Sequence, residues 1–320
     1  MKNIGTAKVI PGEKTEGYLH AGTDIDGASF KIPLLVAAGK EEGPTIWVHG
    51  CIHGDEFGGA ASIIRFFEEL NVQELRGTFV GVPVTNLPSF KGWSRISPLD
   101  GANLNRIFPG NPKGTYSQRL AHLLLSTIKE TADYVLDLHS GGLALHVDYF
   151  MICKGGDSDA AQKSLWLAER MGSKVIWVTE QEGSVGGTIT DHVMEFGIPN
   201  VTIEVGGGHI SEKHEHQFKD SIKNAMKALE LLPGDAPVQK EYEIYRKGDF
   251  IFAGEGGLFV PASKVGSILN KGDLIGTIIN LHGKVVEEIR CSDDNAYLAA
   301  TGHPYWPTEQ GRLIAETYTK

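Results

Sequence analysis

Four short segments carry the residue types that hydrolytic chemistry needs. In His49-Gly50-Cys51-Ile52-His53-Gly54-Asp55-Glu56 a histidine and a glutamate stand three residues apart in a glycine-rich turn. The glycines let the backbone fold back sharply, so an imidazole and a carboxylate can be aimed at one point. A catalytic zinc usually takes three such protein ligands and keeps a fourth position for water. Alone, the spacing is explained more simply as a helix start, where Asp55 and Glu56 are favoured by the helix dipole.

The second segment is Val135-Leu136-Asp137-Leu138-His139-Ser140-Gly141-Gly142, in which His139 closes an apolar run just before a glycine turn. Asp137, two residues earlier on the same strand face, is placed to orient a ligand imidazole. A core histidine bonded at a strand end is the plainer alternative. The third is Ile203-Glu204-Val205-Gly206-Gly207-Gly208. A carboxylate inside an apolar strand is costly unless it is paired or functional. Desolvation raises its proton affinity toward that of a useful general base; a buried ion-pair partner is the other reading. The fourth segment runs from Arg95 to Gly110 and contains Asn103-Leu104-Asn105-Arg106-Ile107-Phe108-Pro109-Gly110. Arginine suits a carboxylate held by two parallel hydrogen bonds, and Asn105 adds a neutral donor. Surface arginine in a long loop is the plain reading, although a loop so rich in Pro, Gly and Asn usually has a task.

Elements of two kinds must position these residues. From about residue 17 to 235 strands and helices alternate: KIPLLVAAG, TIWVHG, TFVGVPV, YVLDLH, KVIWV and VTIEVGG read as buried strands. GGAASIIRFFEEL, YSQRLAHLLLSTIKE, AAQKSLWLAERMG, ITDHVMEFG and DSIKNAMKALELL read as helices, the first gathering Ile63, Ile64, Phe66, Phe67 and Leu70 on one side. That rhythm predicts an α/β fold with a mostly parallel, helix-flanked mixed sheet, with sites at the carboxyl ends of its strands. After Leu231-Leu232-Pro233-Gly234-Asp235 the helical signal stops, and short strands recur between glycine turns. The expected division is a catalytic α/β domain over 1–235 and a β-rich domain over 236–320. The tail pattern GGLFVP…KGDLIGTI resembles a lipoyl-type β-sandwich. The segment SDDNAYL has no lysine where a modified one would sit, so the tail is expected to shape the mouth of the site.

Composition narrows the field. The 320 residues are 41% hydrophobic and 22% charged, a globular composition. A net charge of −10 makes nucleic acid a poor partner, because phosphate binding needs a basic face. Three scattered cysteines do not make a disulfide framework. No run approaches the roughly 20 apolar residues of a membrane span, and the N-terminus lacks a signal-peptide core. A cytoplasmic protein without a membrane partner is expected, and a homo-oligomer is compatible with the sequence. His49 and Cys51 are accounted for by packing, as are His122 and His192. His209, His214 and His216 fit a solvated polar face. No nucleophile elbow, phosphate loop or dinucleotide fingerprint is present.

Taken together, the HGxxxGDE-like turn, NLNRxFPG, DLHSGG and the TxExGG strand resemble the succinylglutamate desuccinylase/aspartoacylase family of the zinc carboxypeptidase-like group. The resemblance covers roughly residues 30–232 and, more weakly, the tail. It implies one zinc per chain held by His53, Glu56 and His139, with Glu204 as the base and Arg95 as the oxyanion stabiliser. Asn105 and Arg106 would clamp a substrate carboxylate. The expected function is hydrolysis of the amide bond of an N-acyl amino acid or related small molecule by a metal-activated water. A metallocarboxypeptidase acting on peptides is the nearest alternative. A non-catalytic binding module on the same fold is the alternative from a different class. Metal content and amide turnover separate the enzyme from the module.

Overall fold

The computed structural model describes residues 2–179, 186–238 and 241–320. The protein has a mixed α/β architecture built on one large sheet. From one edge the strands run Lys247–Phe252, Leu313–Thr319, Ala296–Gly302, Leu145–Lys154, Asn200–Gly206, Tyr134–His139, Glu41–Gly50, Arg76–Val82, Ser29–Ala38 and Glu13–Thr23.

Parallel pairing is concentrated at the centre. The strands Arg76–Val82, Glu41–Gly50, Tyr134–His139 and Asn200–Gly206 lie parallel to one another. Most of the other pairs are antiparallel, although Val175–Thr179 lies parallel to both Leu145–Lys154 and Glu243–Tyr245, so the sheet is mixed rather than mostly parallel. Connection length explains the difference: Glu13–Thr23 and Ser29–Ala38 are joined by the short turn 24–28, which permits only a hairpin. Glu41–Gly50 reaches Arg76–Val82 through the helix Phe57–Glu69, a crossover long enough for parallel pairing.

Alternation along the central strands sends side chains to two cores. Ile46 and Val48 pack on one face with Leu136, Leu138 and Ile203, against the helices Phe57–Glu69, Asp159–Ala168 and Glu212–Ala228. Trp47 and Val135 face the other way, against Tyr116–Thr131 and Ile189–Glu195. Of the apolar stripe expected on the first helix, Ile63, Phe66, Phe67 and Leu70 are buried, whereas Ile64 is exposed. His122 is exposed as well and does not pack as expected. His214 turns inward, with its ring centroid 5.8 Å from that of His146, and its backbone N–H donates to the Ser211 hydroxyl at 3.2 Å. The polar face expected around residues 209–216 is therefore only partly solvated. Among the described residues no helix is long and apolar enough to cross a membrane.

The C-terminal region is all β. Val285–Arg290, Leu274–Ile279, Gly257–Pro261 and Trp306–Thr308 form a four-stranded sheet of their own. Ala296–Gly302, Leu313–Thr319 and Lys247–Phe252 instead extend the large sheet, with Ala300, Thr301 and Gly302 paired to Val147, His146 and Leu145. Aromatic rings fasten this junction: Tyr318 stacks on Trp177 at 4.4 Å between centroids and meets Phe150 edge-on at 5.4 Å. Tyr318→Ala is expected to lower unfolding stability by about 3 kcal/mol, as for other buried aromatic truncations. Ile25→Ala, at a fully exposed position, should change it by less than about 0.5 kcal/mol. Urea unfolding of the two variants measures the contrast.

Candidate metal centre and its pocket

The His49 strand ends in a forced turn. Cys51 adopts a left-handed conformation at φ 51°, and the chain is pinned there by Asn86 N–H to the Cys51 carbonyl at 3.0 Å. Gly54 then passes so close to Ser89 that a Cβ would overlap its carbonyl, which leaves glycine as the residue that fits. The turn delivers Glu56 as the residue preceding the helix Phe57–Glu69, yet its side chain makes no capping bond. Its carboxylate points instead to two imidazoles: Oε1 lies 2.7 Å from His53 Nδ1 and Oε2 lies 2.8 Å from His139 Nδ1.

His139 reaches this point because its strand is the neighbour of the His49 strand, with Leu138 opposite Gly50. One strand further on, Glu204 pairs in register with His139. Three adjacent parallel strands thus end at one place. His53, Glu56 and His139 are each buried, and one donor atom from each lies within 4.8 Å of the others.

The outer ring nitrogens are tied down. His53 Nε2 bonds to Asn103 Oδ1 at 3.1 Å, and His139 Nε2 to Asp137 Oδ2 at 3.0 Å. Both acceptors are oxygens, which places the Nε2 protons outward and turns both Nδ1 atoms inward toward the carboxylate. The other Asp137 oxygen lies 3.0 Å from His49 Nε2, giving His49 a place in the support of the cluster rather than simple packing.

Burial drives the His53 imidazole down to about 4 despite the adjacent Glu56, so it is neutral. Burial also opposes ionisation of Glu56, but His53 and His139 outweigh it and hold the carboxyl well below the usual range. For His139 burial is overcome by Asp137 and Glu56, which raise it well above its ordinary value. Asp137 is held low by His139 and His49 against its own burial. Two buried anions thus face one protonated imidazole, an imbalance that suits a cation. Arg95 answers the same attraction: its Nη1 donates to Glu56 Oε1 at 3.1 Å and to His53 Nδ1 at 3.2 Å, while the side chain stays 48% exposed. The donor chemistry and its burial fit a divalent ion of the zinc type.

The cluster opens into a pocket of about 620 Å³. Glu204 lines it, and its carboxyl has no hydrogen bond or ion pair among the described residues. Burial pushes its carboxyl up to about 8; His139 and Arg95 oppose the rise, while Glu56 and Glu316 add to it. Asn105 and Arg106 line the pocket too. The Asn105 side-chain Oδ1 accepts from Ile189 N–H at 2.9 Å, and its Nδ2 sits 3.4 Å from His139 Nε2. Arg106 donates to the Asn105 carbonyl at 2.7 Å. All seven residues singled out in the sequence therefore meet in one pocket.

Asn103, Glu316 and Tyr318 were not singled out. Asn103 stands inside the quoted loop with nothing to set it apart. Glu316 carries the same signal as Glu204, a charge within an apolar strand, but it falls in the tail. Phe250, Trp306 and Arg312, also from the tail, complete the wall.

Residues 42–229 match the model of the succinylglutamate desuccinylase/aspartoacylase catalytic domain. The chain belongs to this family. Its relatives include the N-alpha-acetyl-L-2,4-diaminobutyric acid deacetylase of Halomonas elongata, 29% identical over 283 residues, which span 85% of this chain and 81% of the relative. The product-bound ectoine utilization protein EutE (DoeB) from Ruegeria pomeroyi superposes with a TM-score of 0.87 at 26% identity, over 100% of both chains. A family member from Rhodobacter sphaeroides gives 0.84 at 26% identity, over 96% of this chain and 94% of that one. These likenesses span the tail as well as the family's catalytic domain.

Removal of the outer support should be felt at the centre. Asp137→Asn is expected to weaken divalent-cation binding roughly 10–100-fold, and His53→Ala to abolish it. Titration with zinc against a competing chelator measures both; unchanged affinity in both variants would show that these residues do not hold the ion.

Proposed function

We propose that the protein is a zinc-dependent deacylase that hydrolyses the amide bond of an N-acyl amino acid. The observation that carries the proposal is the unpaired Glu204 carboxyl, in register with His139 and raised by burial into the range of a working base. The likeness to a deacetylase of an acetylated diamino acid supports the same chemistry.

His53, Glu56 and His139 would hold the zinc, which when bound supplies a Lewis acid that polarises a carbonyl and acidifies water. Glu204 takes a proton from the attacking water on a carboxylate oxygen. The same oxygen then returns it to the amide nitrogen as the C–N bond breaks, leaving a free carboxylic acid and an amine. Arg95 presents N–H donors toward the position where the carbonyl oxygen gains charge. Arg106, with no carboxylate in ion-pair range among the described residues, is left available for the α-carboxylate of the substrate.

The shape of the pocket favours this reading over peptide trimming. Trp306, Phe250 and Arg312 close one side of it, and about 620 Å³ suits a small molecule.

Glu204→Gln is expected to keep the metal and slow turnover roughly 10²–10⁴-fold, the range for loss of a general base. Metal analysis alongside a deacylation assay checks this, and a variant that turns over normally refutes the role. Arg106→Lys should weaken binding of the free acid strongly and of its methyl ester little, because lysine lacks the two-pronged geometry. Equal losses for both would place Arg106 outside carboxylate recognition. Efficient trimming of peptides of four or more residues, with no deacylation of N-acyl amino acids, would favour the carboxypeptidase alternative.

A further inference from the structure

The charged groups that line the pocket can be matched off one by one. Glu56 and Asp137 are engaged by imidazoles. Asp191 is held by Lys154 at 2.9 Å. Arg95 reaches Glu56, and Arg312 lies 3.8 Å from Glu309. Asp55 accepts from the Leu143 N–H at 3.2 Å through Oδ2, while its Oδ1 is buried without a hydrogen-bond partner. With Glu204 assigned to proton transfer, and Asp55 set in the metal turn directly before Glu56, the cation and the anion that remain outside that turn are Arg106 and Glu316. Neither has a counter-ion within ion-pair distance among the described residues, although both face the same pocket.

Glu316 is fixed in place. It sits on the last strand, Leu313–Thr319, paired across to Phe250 on one side and to Ala300 on the other. Tyr318, two residues on and on the same face, donates its hydroxyl to one Glu316 oxygen at 2.9 Å. The second carboxylate oxygen has no partner among the described residues. A largely enclosed carboxylate with a single neutral donor is costly, and the Arg106 guanidinium, on a residue exposed to solvent, also lacks an anion. A ligand with one anionic and one cationic end relieves both.

In an N-acyl amino acid the α-nitrogen is already a neutral amide, and the α-carboxylate supplies the anion. The cationic end must then come from the side chain. We infer that Glu316 is a specificity residue that receives the ammonium of a diamino-acid side chain, so that the preferred substrates are N-acyl amino acids with a short, amine-bearing side chain. This rests on the deacylase reading for its substrate frame and adds the side-chain class to it.

The test compares the zinc-loaded full chain on Nα-acetyl-2,4-diaminobutyrate with its neutral near-isostere Nα-acetylnorvaline and with Nα-acetylglutamate. The wild type should favour the cationic substrate over both by about tenfold or more in kcat/KM, the scale of a hydrogen bond to a charged group. In Glu316→Gln that preference should fall roughly 10–100-fold, mainly through KM, while Nα-acetylnorvaline changes by less than about threefold. A wild type that favours the neutral or acidic substrate overturns the inference, and this comparison needs no folded variant. Equal losses for all substrates in a Glu316→Gln protein of normal thermal stability also overturn it. If none of the three is hydrolysed, the deacylase reading fails by itself. Calorimetric binding of the same three molecules then decides the subsite: tighter binding of the amine that is lost in Glu316→Gln upholds it, and equal affinities refute it.

Discussion

A carboxylate buried between two imidazoles is the interaction on which the rest of the structure depends. Glu56 has almost no exposure and gives one oxygen to His53 and the other to His139. Removing one member of such a set leaves an uncompensated buried charge, at a cost of about 3–5 kcal/mol. The surrounding features follow from keeping it intact. Gly54 is a glycine because the turn that delivers Glu56 runs against Ser89. Asn103 and Asp137 are oxygens at the outer ring nitrogens because those nitrogens must be donors for the inner ones to face the carboxylate. The first helix forgoes a side-chain cap at its start, since the residue in the capping position is committed elsewhere.

Parallel pairing supplies the second requirement. Strands that run the same way end on the same side, so residues 49–56, 137–139 and 204 need only correct register to meet. Antiparallel neighbours would send alternate strand ends to opposite edges and scatter the set. The strands that carry the metal cluster and Glu204 are accordingly parallel to one another. The two-sided burial of the central strands, with Ile46 and Val48 on one face and Trp47 on the other, locks that register from both sides.

Much of this was legible in the sequence. The four motifs lie at strand ends and loops, and each brings a residue type with few bland explanations when the four occur together. The central strands and their helices were legible from apolar runs and helical spacing. Three things were not. The strand Leu145–Lys154 is hard to read because the alternation of Leu145 to Tyr149 gives way to the continuous apolar run from Phe150 to Cys153. The exposure of His122 and the inward turn of His214 depend on tertiary neighbours that periodicity does not report. The tail revealed short strands, but not which of them would join the large sheet, because edge pairing is decided by backbone groups that every residue carries. Glu316 lies on one of these tail strands, so its place in the pocket was not legible either.

The union of the tail with the large sheet bears on how substrate enters. Ala296–Gly302 hydrogen-bonds directly to Leu145–Lys154, and Tyr318 is wedged between Trp177 and Phe150. The wall that carries Glu316 is therefore joined to the floor that carries Glu204 through the backbone pairing of four neighbouring strands. It cannot swing outward as a separate door without tearing that pairing. Traffic through the mouth falls to side chains and loops at its rim, such as Trp93 and Ile96, both exposed on the Arg95 loop. Of the two charges offered to substrate, Glu316 is therefore the fixed jaw, held by the sheet, while Arg106 stands on a loop and is the one free to adjust to substrate length.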